Sequence, residues 1–177
     1  MVLWMKRFPF LLLDAGPIIK LFQLGIWEEF ITKCDVTISR TVAEEAKYAS
    51  LEFKDICINL DVYEEQNLVK IIDVELSNVK AFHEKFDQQY NISIHAGEKE
   101  TLAFLYNSSD DWLVCSADHV VYRVLGLLGR SEQGISLEEI LKQIGFSREL
   151  ELIYTKKFRE ENTRIGQIHS IQNKGLL

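Results

Sequence analysis

The sequence predicts an α/β protein, a three-layer α/β/α sandwich around a mostly parallel central sheet of four to five strands. Three observations carry this expectation. Four short apolar runs are separated by segments with helical periodicity. Two of those runs, Phe10 to Leu13 and Trp112 to Cys115, are almost continuously apolar, as strands covered on both faces are. Strand-like and helix-like segments also alternate along the chain instead of grouping by type. With 177 residues, the chain is long enough to bury one core of ordinary size.

The strands are read in order. Phe10-Leu11-Leu12-Leu13 stops at Asp14, and Asp35-Val36-Thr37-Ile38-Ser39 alternates and is rich in β-branched residues. Leu68 through Val74 follows a polar turn, and Trp112-Leu113-Val114-Cys115 runs into Ser116-Ala117-Asp118. Between them lie the helices. Pro17 suits the first turn of a helix that ends near Gly25. Thr41 is the expected cap of a helix through Lys47, with Glu44 as its capping-box partner. Ser77 to Tyr90 places Val79, Phe82, Phe86 and Tyr90 at helical spacing. Gly97 to Tyr106 and Val120 to Leu128 are two more helices, and Ser136-Leu137-Glu138-Glu139 has capping-box spacing before Ile140, Leu141 and Ile144. Residues 1–150 are expected as the domain and 151–177 as a basic C-terminal extension.

Composition excludes several classes. Hydrophobic residues at 47% and charged residues at 27% are globular proportions. Lys6 and Arg7 before Phe8 to Leu13 give the start of the chain a passing likeness to a signal peptide. Asp14 cuts the run short and no small-residue cleavage site follows. No stretch approaches the roughly 18 apolar residues of a membrane helix. Cys34, Cys57 and Cys115 are odd in number and lack a CxxC pair, which fits a reducing, cytoplasmic setting rather than disulfides or a thiolate zinc site. The net charge of −7 opposes phosphate binding, yet it is uneven. Lys156, Lys157, Arg159, Arg164 and Lys174 face only Glu160 and Glu161 in the final segment, which reads as a solvated basic terminus.

The acids carry the chemistry. In open α/β sheets, sites form beyond the carboxyl ends of the strands. Asp14 and Asp118 each follow an apolar strand, and the helices beginning near Thr41 and at Ala96-Gly97 should start on the same side. Glu44 or Glu45, and Glu98 or Glu100, can therefore point at the same place. Each acid alone also reads as an ordinary cap or first-turn acid. Gathered together, carboxylates raise one another's pKa unless a cation neutralises them, and Mg²⁺ or Mn²⁺ suits an oxygen donor set. His83, His95, His119 and His169 form no HxxxH or HExxH pattern, and neither GxGxxG nor GxxxxGK[ST] occurs.

The ordered set resembles the PIN-domain nucleases over roughly residues 8 to 145. Leu11 to Ile19, with Asp14-Ala15-Gly16-Pro17, looks like that family's opening motif. Val42-Ala43-Glu44-Glu45 is similar to the second motif and selects Glu45 over Glu44. Ala96-Gly97-Glu98-Lys99-Glu100 resembles the third, with Glu100 as the favoured ligand and Glu98 next, and Ser116-Ala117-Asp118 resembles the fourth. His95 stands where an acidic or polar residue often precedes the third motif, and no clear fifth strand follows Asp118.

The resemblance implies a Mg²⁺- or Mn²⁺-dependent endoribonuclease acting on RNA. Asp14 and Asp118 are the principal metal ligands, and Glu45, Glu100 and Glu98 are ligands or water-positioning acids. It also implies a toxin of a toxin–antitoxin pair, held by a small antitoxin protein, and self-association into a homodimer. A catalytically inactive PIN-like module is the alternative, docking a partner through Trp4, Phe8, Trp27 or Phe30. A phosphoacceptor domain would need a second acid beside Asp14, with Asp73 as the acid after a central strand. A haloacid-dehalogenase-like phosphatase would need an Asp where Gly16 stands.

Overall fold

A computed structural model describes residues 7–52 and 56–177, apart from the side chains of residues 50–52. Its sheet consists of β1 (Phe8–Leu13), β2 (Cys34–Ser39), β3 (Val69–Ile72) and β4 (Leu113–Cys115). All pairings are parallel, in the spatial order β3-β2-β1-β4. Among the described residues a fifth strand is reduced to a single parallel bridge, of Gly134 to Val114 of β4.

The continuous apolar run of β1 has the cause expected of it. Leu11 and Leu13 face one layer and Leu12 the other, and all three are buried. The first layer comprises α1 (Ala15–Gln23), α2 (Trp27–Lys33), α3 (Arg40–Glu52) and a helix described below. It contributes Ile18, Leu21, Trp27, Phe30, Val42 and Ala46 to the core. After the short α4 (Asp61–Glu65) and β3, the chain crosses to the opposite face. There α5 (Leu76–His83), α6 (Gln88–Ser93), α7 (Ala96–Asn107) and α8 (His119–Leu127) cover Leu12 and Val114 with Phe82, Tyr90, Leu102, Val120 and Val124. α9 (Leu137–Gln143) returns to the first layer, and Ser136 and Glu139 form the expected capping box at its start. This is the expected three-layer arrangement, and β1 with β4 marks its topological switch point.

Several local expectations change. The helix expected over Ser77 to Tyr90 is two helices. Asp87 N donates to Gly175 O at 2.9 Å, Gly175 N donates to Asp87 Oδ2 at 3.0 Å, and Phe86 bridges Leu176. The C-terminal residues thus compete for the backbone that would otherwise continue the helix, and Asp87 caps α6 through Tyr90 N. Thr41 is not the cap of α3. Ser39 Oγ accepts from Val42 N at 3.3 Å, while Thr41 is engaged with Glu100. Trp27 and Phe30 are core residues rather than a docking surface, and Phe8 packs partly buried beside them. Trp4 lies outside the described residues. Among those residues, no helix is long and apolar enough to cross a membrane.

The segment from Lys156 is a helix, α10 (Lys156–Ile171), packed along α8, where a solvated basic terminus was expected. Gly126 of α8 and Gly166 of α10 permit the crossing. A Cβ on Gly126 would overlap the Thr163 carbonyl, and one on Gly166 would overlap that of Arg123. Arg159 holds Glu139 through two nitrogens at 2.8 and 2.9 Å, and Lys156 and Lys157 pair with Glu160 and Glu161. Much of the positive charge of this segment is therefore partnered. Gly166→Ala should cost about 3 kcal/mol by overpacking against backbone that has no room to move. Urea unfolding followed by circular dichroism measures this, and an unchanged midpoint would contradict the close crossing.

Candidate functional site

The parallel register decides which residues meet at the switch point. Leu13 pairs with Cys115, and Asp14 N donates to Cys115 O at 3.0 Å. Asp14 and Ser116 therefore leave the sheet side by side. Ser116 Oγ donates to Asp14 Oδ2 at 2.6 Å and accepts from Asp118 N at 3.0 Å. The turn is fixed from behind by the buried Tyr122, whose hydroxyl accepts from Ser116 N and lies 2.8 Å from Ser116 O. Ser116 and Tyr122 were not singled out from the sequence. The only available signal was a serine two residues before Asp118, a spacing that suits a side-chain-to-backbone turn.

Asp14 and Asp118 serve also as helix caps. Asp14 Oδ1 accepts from Ala15 N at 2.9 Å, and Asp118 Oδ1 accepts from Val120 N at 2.9 Å. The bland reading of both residues is thus realised without removing them from the site, since an ionised carboxylate has lone pairs left over. Together with Glu45, His95, Glu98, Ala15, Gly16 and Ala117 they line an open cleft of about 340 Å³.

Glu45 reaches this cleft from the second turn of α3, and Glu44 is exposed. Its Oε1 accepts from Gly97 N, at the amino end of α7, at 3.3 Å. Gly97 is needed for this approach: a Cβ there would stand 2.9 Å from Glu45 Oε2 and 2.8 Å from Val42 Cγ2. Glu98 is 5% exposed, and its Oε2 accepts from His95 N at 2.9 Å, which caps the start of α7.

Glu100 takes a different direction. Two residues of helix rotate a side chain by about 200°, so Glu98 and Glu100 cannot face the same cleft. Glu100 Oε1 accepts from Thr41 Oγ1 at 2.7 Å and its Oε2 from Thr41 N at 3.3 Å, tying α7 to the start of α3. The motif favours Glu100 over Glu98, whereas it is Glu98 that lines the cleft. The structure brings Asp14, Glu45, Glu98 and Asp118 together and leaves Glu100 beside the cleft.

The acids oppose one another electrostatically. Burial pushes the Asp14 carboxyl up, against the hydrogen bonds from Ser116 and Ala15, and the Asp118 charge adds to the rise. Glu45 is raised by burial and then by Asp14. Glu98 is raised to about 8, first by burial and then by the charges of Asp14 and Asp118. No Lys or Arg among the described residues lines the cleft to offset this. Among the described residues, His95, Glu98 and Asp118 each offer a ligand atom, all within 4.8 Å of one another. Asp14 and Glu45 line the same cleft but stand outside this three-residue group, whose two carboxylates and one imidazole are donors of a kind that divalent cations accept.

A carboxyl whose folded pKa exceeds its unfolded value is a stability statement with a definite sign. For Glu98 the contribution is fully present below about 4.5 and is lost as pH rises toward about 8. In EDTA, stability should therefore fall between pH 5 and pH 8. Glu98→Gln, which stays neutral, should reduce that fall by on the order of 2 kcal/mol. Urea midpoints at the two pH values test this, and an equal fall in the variant would refute it. No protein-family model and no curated protein matches the sequence.

Proposed function

We propose that the cleft is the centre of a divalent-metal-dependent endoribonuclease that hydrolyses RNA phosphodiester bonds. The observation that carries this reading is the convergence of Asp14, Glu45, Glu98 and Asp118 at the sheet's switch point, with no Lys or Arg among the described residues of the lining. Burial raises these carboxyls first and the neighbouring acids add to the rise, a combination that a bound cation would relieve. The choice of RNA, rather than another phosphodiester, rests on the resemblance of the four ordered motifs to PIN-domain nucleases.

Asp14, Glu98 and Asp118 would hold Mg²⁺ or Mn²⁺, with Glu45 across the cleft as a further ligand or as the acid that orients water. When bound, such an ion neutralises phosphate oxygens and makes a water more acidic. Ser116 orients Asp14, and the Gly97 N–H orients Glu45. Glu100 acts through Thr41 as a positioning residue. A toxin role with a small antitoxin partner, and homodimer formation, follow the same resemblance.

One observation favours a second reading, a PIN-like binding module without catalysis. The net charge is −7, and Lys156, Lys157 and Arg159 are paired with acids, so electrostatic attraction for RNA is weak. Calorimetric titration with Mn²⁺ separates the two, because a binding module has no need of the ion.

For the nuclease reading, Asp14→Asn should lower Mn²⁺-dependent cleavage of a fluorogenic RNA by at least about 100-fold. Its circular dichroism should be unchanged, because the amide oxygen keeps one of the two bonds Asp14 accepts, from Ala15 N, and the amide nitrogen can donate to the Ser116 hydroxyl in place of the other. Glu98→Gln should be similarly impaired, whereas Glu100→Gln should retain cleavage within about tenfold. Full cleavage by purified Asp14→Asn protein would overturn the assignment.

A further inference from the structure

We propose that His95 is itself a ligand of this centre and that its imidazole makes the centre prefer Mn²⁺ to Mg²⁺. The inference rests on the reading of the cleft as a metal site and specifies which of the two ions, Mn²⁺ or Mg²⁺, that site prefers.

The position of His95 is built into the fold. It is the last residue before α7, with φ −76° and ψ 170°, and its backbone N–H holds Glu98 Oε2 at 2.9 Å. That contact fixes the Glu98 carboxylate and the His95 backbone relative to each other. The ring sits at the mouth of the cleft, with 71% of the side chain exposed. Its Nδ1 lies 3.6 Å from Glu98 Oε1 and 3.9 Å from Asp118 Oδ2.

Those separations are too long for hydrogen bonds, which run about 2.7–3.2 Å for nitrogen and oxygen. They match neighbouring donors around one ion, since two bonds of about 2.1 Å place donor atoms roughly 3–4 Å apart. A second observation points the same way. Glu98 is 5% exposed, and its partners are the His95 N–H and the neighbouring Asp118 carboxyl. It is a buried acid facing another acid, and among the described residues neither Lys nor Arg lines the cleft they share.

The donor type sets the preference. Mg²⁺ favours oxygen ligands and retains its waters, whereas imidazole nitrogen binds first-row transition ions more strongly. Adding one imidazole to a carboxylate set therefore strengthens Mn²⁺ binding and leaves Mg²⁺ binding nearly unchanged. His119 is the other nearby imidazole. Its Nδ1 approaches Asp118 Oδ1 at 3.2 Å, the oxygen that already caps α8, and it does not line the cleft.

The test uses the full chain, titrated calorimetrically with Mn²⁺ and with Mg²⁺, and pulsed electron paramagnetic resonance of the Mn²⁺-loaded protein. The wild type should bind Mn²⁺ at least about tenfold more tightly than Mg²⁺. His95→Ala should weaken Mn²⁺ by at least about tenfold, as loss of a direct ligand exceeds typical losses for supporting residues, and should shift Mg²⁺ by less than about twofold. Nitrogen modulation on the Mn²⁺ signal should be present in wild type and in His119→Ala but absent from His95→Ala. Unchanged Mn²⁺ affinity in His95→Ala, or nitrogen modulation lost in His119→Ala instead, overturns the role of His95 while leaving the metal centre standing. Failure of the wild type to bind either ion overturns both.

Discussion

The hydrogen bond from Ser116 to Asp14 joins the two halves of the fold at the point where the chain changes direction. β1 and β4 are far apart in sequence, and each would end in an isolated acid without the register that pairs Leu13 with Cys115. That register puts the Ser116 hydroxyl 2.6 Å from Asp14 and leaves its oxygen free to accept the Asp118 N–H. A charge-assisted bond of this kind in a buried setting is short and directional. Slipping the pairing by one residue would move Leu12 and Val114 out of the core they share, so hydrophobic burial holds the polar geometry in place.

The same arrangement works against stability. Asp14 and Glu98 are nearly buried carboxyls facing further acids, and every resolved shift in the cleft is upward. Local compensation comes from backbone N–H donors and one hydroxyl (Ala15 and Ser116 for Asp14, Gly97 for Glu45, His95 for Glu98), with the His95 side chain a smaller offset for Asp14 and Glu45. A fold selected for stability alone would place a Lys or Arg here, as it does for Glu139, which Arg159 pairs and whose carboxyl is lowered. Glu139 is thus an acid in a structural ion pair, whereas the cleft acids face one another with carboxyls pushed up.

The C-terminal helix supports the site from a distance. α10 crosses α8 at glycines, and α8 is the helix that Asp118 caps and from which Tyr122 braces the Ser116 turn. Arg159 then ties α10 to α9, and Gly175 and Leu177 tie the chain end to Asp87 and Lys85. Packing across glycine thus reaches Asp118 through one rigid element.

Local pattern in the sequence determined the four strands, the capping box at Ser136 and the emergence of Asp14 and Asp118 at strand ends, because apolar periodicity and cap chemistry act over a few residues. Motif register placed Glu45 rather than Glu44 toward the cleft, and the helix direction agrees. What depended on distant partners was not legible. Thr41 reads as a cap in isolation, but Glu100 lies across from it and Ser39 takes its place. Ser77 to Tyr90 reads as one helix until Gly175 competes for Asp87. The basic tail reads as solvated because the glycine on α8 that receives it lies 40 residues upstream of Gly166. The choice between Glu98 and Glu100 was also tertiary. Two positions on opposite sides of a helix are equivalent in a short motif, and only the packing of α7 against α3 decided which one met Asp14 and Asp118.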